Sequence, residues 1–340
     1  MLSHFNLGSN VQQFLARPGE AAKTREADVI LVHLPLFHIY GMTLLMTASI
    51  SAGATQVMMG RFDMGLMLTL MSEHSVTMLY TVPPVGLGFT QFPGVSDHDL
   101  SSIRLGFFGA APLSGELQGR IQDIMGFPIV QGYGLTEASP VTNSDFVEPG
   151  LARPGSVGPG LPDTEEKVVD LDKGTAEVPS GAAGELLVRG PQVMKGYYNN
   201  AEATSETLTA DGWLRTGDIV RMDEDRYVWI LDRKKELIKY KGFQVPPAEL
   251  EGLLLEHPAI ADAAVIGKAD VEAGEIPKAF VVRKAGAEIS AEDVMSFVAG
   301  KIATFKHVRE VEFVDSIPKN PSGKILRRVL IEEERAKANV

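Results

Sequence analysis

Five short apolar runs constrain this chain more than any other feature: Val29 to His33, Thr55 to Met59, Val76 to Val82, Arg104 to Phe108 and Pro128 to Gln131. Their starts lie 26, 21, 28 and 24 residues apart, an interval that holds one strand, one helix and the turns between them. The expected outcome is a parallel sheet with helices on both faces. Met64, Met67, Leu68 and Met71 fall at i, i+3, i+4 and i+7, which reads as the core face of one such helix rather than as a cofactor-binding stripe. The longest uncharged run, Leu34 to Gly60, carries His38, four threonines or serines before Thr55, and two internal glycines. A membrane span needs about twenty more uniformly apolar residues, so the run reads as a buried helix followed by a buried strand.

In doubly wound sheets, ligands meet the loops that leave the carboxyl ends of the strands. Here those loops are Leu34-Pro-Leu-Phe-His-Ile-Tyr-Gly-Met, Gly109-Ala-Ala-Pro-Leu-Ser and Gly132-Tyr-Gly-Leu-Thr-Glu-Ala-Ser. Small residues from Gly109 to Ala111 let a flat ring approach the backbone, and Tyr133 offers a stacking face. Thr136 and Glu137 supply the oxygen ligands that suit Mg²⁺ beside phosphates. Ser114 equally fits a simple helix N-cap.

From Pro154 to Tyr227 glycines, prolines and short alternating runs such as Gly184-Glu-Leu-Leu-Val-Arg-Gly predict a small antiparallel β-subdomain. Asp218, after a Thr-Gly turn, is placed either to accept two hydroxyl protons or merely to cap the turn. Trp229 to Gln244 then reads as a strand, a charged joint and a strand opening a further domain, with five basic residues between Arg233 and Lys241. Beyond it, a helix with proline in its first turn, two strands, a helix opened by the Ser290-Ala-Glu-Asp capping box, a strand over Val308 to Val314 and a charged terminal helix predict a compact α+β domain. Lys324 lies in the loop Ile317-Pro-Lys-Asn-Pro-Ser-Gly-Lys-Ile-Leu-Arg-Arg. The fold class expected is α/β: part of a doubly wound, mainly parallel sheet domain (1–153), an antiparallel β-subdomain (154–232) and a C-terminal α+β domain (233–340).

Net charge is −12, which argues against nucleic acid as a partner because phosphate tracking needs a basic stripe. The basic joint is therefore a local feature that meets something anionic. Cysteine is absent, which removes disulfides, thiolate metal sites and cysteine nucleophiles. Neither a signal peptide nor a transmembrane segment is read, and a cytoplasmic location fits.

Four motifs stand in order along the chain: Gly132-Tyr-Gly-Leu-Thr-Glu, Gly212-Trp-Leu-Arg-Thr-Gly-Asp, Asp232-Arg-Lys-Lys-Glu-Leu-Ile-Lys-Tyr-Lys-Gly and Pro318-Lys-Asn-Pro-Ser-Gly-Lys. Together they resemble the adenylate-forming superfamily of acyl-CoA synthetases, 4-coumarate–CoA ligases, luciferases and nonribosomal adenylation domains, over essentially the whole chain. The resemblance implies a two-step ligase using ATP, Mg²⁺ and coenzyme A. A small-molecule carboxylic acid attacks the α-phosphate to give an acyl-adenylate, and the thiol of coenzyme A then displaces AMP. It further implies that Gly109, Ala110, Ala111 and Tyr133 line the adenine site, Thr136 touches phosphate and Glu137 holds Mg²⁺. Asp218 and Arg233 would hold the ribose, Lys324 would offset transition-state charge and His38 would border the acyl site. Lys235 would be a hinge, bringing Lys239, Lys241, Gly242 and Gln244 up in the thioester step.

The chain departs from that pattern in one respect. The superfamily's Ser/Thr/Gly-rich phosphate loop, ending Pro-Lys-Gly, is not found in these 340 residues, and Met1-Leu-Ser-His resembles the residues directly after that loop. The expectation is a fragment, a late start or a truncated relative, partnered by a missing N-terminal segment or another chain, with an apolar face beyond about 600 Å² open near Leu2 to Val11. Three functions compete: a fatty-acyl-CoA ligase, towards which the reading leans; an aryl-CoA ligase of the 4-coumarate type; and a catalytically silent remnant that binds a nucleotide or a partner.

Overall fold

Runs of branched and aromatic side chains form the central strands of a computed structural model that describes residues 1–19, 22–111, 113–320 and 323–338. The chain divides into two units, Met1–Thr216 with Val220–Ile230, and Gly217–Ile219 with Leu231–Val340.

In the first unit, helix α1 (His4–Leu15) precedes β1 (Val29–Val32), a π-helical stretch Gly41–Ala48 that runs into α2 (Ser49–Ala52), β2 (Thr55–Met58), α3 (Met64–Glu73), β3 (Met78–Thr81) and α4 (Pro83–Phe89). Then come β4 (Leu105–Phe108), α5 (Gly115–Met125), β5 (Ile129–Gly134) and β6 (Val141–Ser144). The sheet order is β2-β1-β3-β4-β5-β6, parallel through β5, with β6 antiparallel to it. All five apolar runs are strands. Met67, Leu68 and Met71 are fully buried on α3, so that stripe is core. One expectation fails: β2 is no buried strand, because it ends the sheet and leaves Thr55 and Met58 exposed.

The order reverses between β1 and β3, so the loops after these strands flank the switch point where such sheets take ligands. Helix α1 docks by an unusual face. Asn6, Asn10 and Gln13 are buried at i, i+4 and i+7, and their amides bond the backbone of Pro191, Val193, Val141 and Pro162. Of its large apolar side chains Val11 and Phe14 are buried and Phe5 is open.

The β-subdomain holds β7 (Glu165–Val169), β8 (Ala183–Arg189), helix α6 (Ala201–Thr207), β9 (Leu214–Met222) and β10 (Val228–Arg233), in sheet order β10-β9-β8-β7 with β7 antiparallel to β8. Helix α6 has no buried residue, which explains why no amphipathic pattern announces it.

In the second unit, β11 (Ile238–Tyr240) and β12 (Phe243–Val245) form a hairpin, followed by α7 (Pro247–Leu255), a long antiparallel pair β13 (Ile260–Asp270) and β14 (Gly274–Arg283), α8 (Ala291–Ala299), β15 (Glu310–Phe313) and α9 (Arg327–Ala338). Strand β15 adds parallel to β14. Ser290 and Asp293 close the expected capping box on α8, which ends at Ala299 rather than near Thr304. A core of Leu250, Leu254, Val265, Val281, Val294 and Val298 lies on one side, and Ala264, Ile266, Phe280 and Leu330 form a second cluster beneath α9. The overall class is thus α/β with an antiparallel subdomain and an α+β unit.

Candidate active site

In the first unit the loops after β1, β4 and β5 adjoin. Tyr40, buried, donates its hydroxyl to the carbonyls of Thr81 (3.3 Å) and Phe107 (3.1 Å), tying the carboxyl ends of β3 and β4. A Cβ on Gly109 would lie 3.4 Å from the Gly132 carbonyl and 3.7 Å from the Tyr40 ring. The two glycine loops therefore run side by side, leaving backbone where a side chain would otherwise stand. Ala110 takes a left-handed φ of 70°, a strained conformation for alanine. Ala111 is half-buried, and Pro112 lies outside the described residues. His38 accepts from the Tyr40 amide at Nδ1 (3.2 Å), and burial lowers its pKa, which favours the neutral ring.

Tyr133 is half-buried on β5, paired with Asn143 just before a register shift at Gly134. The turn that follows, Thr136 to Ala138, exposes Thr136 and half-buries Glu137. Two residues that the sequence reading missed hold this turn. The Tyr197 hydroxyl donates to Glu137 Oε1 at 2.8 Å, and Asn10 both donates to and accepts from the Val141 backbone. Neither left a local signal, since each contact joins residues far apart in sequence.

Gly134 is fixed by close approach: a Cβ there would stand 2.1 Å from the Pro140 carbonyl oxygen, a backbone atom that cannot rotate away. Gly134→Ala should cost about 1–3 kcal/mol. Trp213 and Trp229 both lie in the first unit, so tryptophan fluorescence should report a fall of roughly 3–10 °C in its unfolding midpoint. An unchanged midpoint would mean that the turn yields freely.

In the second unit, Asp218 (6% exposed) and Arg233 form an ion pair, Nε to Oδ1 3.1 Å, so both proposed ribose ligands stand together. Arg233 is the last residue of β10; Lys234 and Lys235 follow in an exposed turn. Lys239, Lys241, Gly242 and Gln244 are exposed on the β11–β12 hairpin. Its turn puts Lys241 (φ 47°) and Gly242 (φ 83°) in the left-handed region, the geometry of a tight two-residue hairpin turn.

Lys324 sits on a second tight loop, closed by Leu326 N to Pro318 O (2.8 Å) and by Lys324 N to Asn320 Oδ1 (2.9 Å). Pro321 and Ser322 of this motif lie outside the described residues. Burial is the first cause that lowers the Lys324 pKa, and the charges of Arg233 and Lys235 push the same way against Glu236 and Asp218. Asp218, Arg233, Lys235 and Lys324 thus share one electrostatic neighbourhood.

Among the described residues no group of three or more His, Cys, Asp or Glu side chains is arranged to hold a metal, and no helix is long and apolar enough to cross a membrane. Glu137, its carboxylate steadied by Tyr197, is one oxygen donor of the kind a hard cation takes.

Comparison with known proteins gives a consistent result. The family description "AMP-binding enzyme" matches residues 1–198, and "AMP-binding enzyme C-terminal domain" matches residues 249–324. The chain is 45% identical over 334 residues to 4-coumarate–CoA ligase 3 of Oryza sativa subsp. japonica, covering 97% of this chain and 60% of that protein. Among solved structures, ATP-bound MatB from Rhodopseudomonas palustris matches at TM-score 0.89 and 33% identity, covering 98% of this chain and 64% of that one. The anthranilate CoA ligase AuaEII in complex with anthranoyl-AMP matches at 0.90 and 29%, covering 100% and 65%. The chain spans about 60% of the length of the curated relatives it matches.

Proposed function

Because this chain belongs to the AMP-binding enzyme family, we propose that it serves the ATP-dependent activation of an aryl carboxylic acid and transfer of the acyl group to the thiol of coenzyme A. The observation that carries this reading is the 44–45% identity to several 4-coumarate–CoA ligases. It displaces the lean towards fatty acids: the general motifs are shared across such ligases, and only the extended similarity separates the branches.

In the first step a carboxylate oxygen bonds the α-phosphorus and the bond to the β-phosphate oxygen breaks, releasing pyrophosphate. In the second, the thiol sulfur bonds the acyl carbon, the acyl–phosphate C–O bond breaks, AMP leaves, and the thiol proton passes to a base. In the first unit, Gly109 to Ala111 and Tyr133 are assigned to adenine and Thr136 to phosphate. Glu137 is assigned to Mg²⁺, which neutralises phosphate charge. His38, neutral by burial, borders the acid. In the second unit Asp218 and Arg233 are assigned to the ribose and Lys324 to charge developing at the α-phosphate. Lys235 is the assigned pivot, with Lys239, Lys241, Gly242 and Gln244 serving the thioester step. A cytoplasmic location belongs to the same reading.

Pyrophosphate exchange measured across cinnamic, benzoic and fatty acids tests the proposal. Exchange should be fastest with an aryl acid. Faster exchange with fatty acids would overturn the substrate class. AMP binding without exchange for any acid would favour the silent remnant.

A further inference from the structure

The motif around Lys324 ends in two arginines to which the proposed function gives no task. Arg328 is exposed, with its side chain 87% accessible. Arg327 is not: it is the first residue of α9, and its guanidinium is held between two carboxylates from separate elements. Nε and Nη2 fork onto Glu251 of α7 at 3.2 and 2.5 Å, which fixes the plane of the group and aims Nη1 at Glu236, with which it pairs. The carboxylates are themselves oriented. Glu251 Oε1 also accepts from the Val265 amide of β13 (2.8 Å). Asp232, buried close by, accepts from the amides of Arg233 (2.6 Å) and Ala248 (3.1 Å).

We propose that Arg327 is a positioning residue: through Glu236 and Glu251 it locks the loop bearing Lys324 to the segment that directly follows the Lys235 joint, so that the Lys324 ammonium keeps one place beside Arg233, Glu236 and Asp218. Arg327 lies three residues after Lys324, and Glu236 one residue after Lys235. A rigid link between these points makes loop and joint move as one body. A largely buried ion pair such as this is a poor device for stability alone, because desolvation offsets much of its attraction, and fixing register is its best-attested use. The charged groups facing Arg327 are Glu236, Glu251 and Asp232; those facing Lys324 are Arg233, Lys235, Glu236 and Asp218.

The inference rests on the assignment of Lys324 to adenylation only for its functional meaning, and its test is independent of activity. In the 340-residue chain, trace acetylation with acetic anhydride across pH, read by peptide mass spectrometry, gives a titration midpoint for each lysine. Arg327→Gln and Glu251→Gln should both raise the Lys324 midpoint above that of the wild-type chain, and the double variant should go no further. A field effect alone would move Lys324 in opposite directions, since one substitution removes a positive and the other a negative charge. Opposite shifts, or no shift, would overturn the clamp. Glu251→Gln keeps shape and volume, so it remains informative if Arg327→Gln fails to fold. Lys337→Ala, which removes an exposed contact at the far end of α9, should leave the Lys324 midpoint in place; an equal shift there would also overturn the proposal. Unchanged pyrophosphate exchange in Lys324→Ala would defeat the catalytic reading of Lys324 while leaving the labelling result intact.

Discussion

Lys324→Ala is expected to slow pyrophosphate exchange by about 10²–10³-fold, the loss typical of removing one preorganised group from developing transition-state charge. Thioester formation from supplied acyl-adenylate should survive, because charge at the α-phosphate grows only in the first step. Under the proposed assignment the protonated amine is the working form, and burial with the nearby charges of Arg233 and Lys235 lowers its pKa. Exchange should therefore fall as pH rises, beginning below the range in which exposed lysines titrate. Measuring both half-reactions over pH checks this. Equal losses in the two steps would show that Lys324 supports the fold or the acid site in general, and an alkaline limb at the ordinary lysine value would show that the ammonium is not held where these charges act.

How much of this could be read in advance depended on the range of the interaction that decides each feature. Strand positions in the first unit follow from runs of four to seven mostly apolar residues, and the buried Met67, Leu68 and Met71 from helical spacing, both local signals. The Ser290–Asp293 capping box is likewise written within four residues. The edge position of β2 was only faintly marked, by Thr55 and Gln56 where β1 is wholly apolar, and it is sheet order that exposes the strand. The docking of α1 through Asn6, the support of Glu137 by Tyr197 and the grip of Arg327 on Glu236 join residues 185, 60 and 91 positions apart. No pattern in one segment can specify such pairs. The motif residues of the candidate site could thus be listed one by one, while the side chains that hold them in place could not.

Lys278→Ala is expected to destabilise the second unit strongly, by up to about 3–5 kcal/mol, because it removes the central cation from the buried Glu334 and the half-buried Glu310 and Glu312. Lys278 lies on β14 with its side chain 3% exposed, and its ammonium contacts Glu334 of α9 at 2.6 Å and Glu312 and Glu310 of β15 at 2.8 and 2.9 Å. Lys268 and Lys337 supply the remaining positive charge. The network lowers the pKa values of all three glutamates, burial opposing, and raises that of Lys278. The signs fix the window. The glutamates' contribution is present above their unfolded value of about 4.3 and is lost as pH falls through the lower folded values. That of Lys278 is complete below about 10.4 and is lost only as pH rises through its higher folded value. The difference between wild type and Lys278→Ala should therefore be widest near neutrality and shrink in acid. Both tryptophans lie in the other unit, so hydrogen exchange of peptides from β14 and α9 is the suitable probe. A constant difference down to the lowest pH would mean that lost packing, rather than stranded charge, governs the cost.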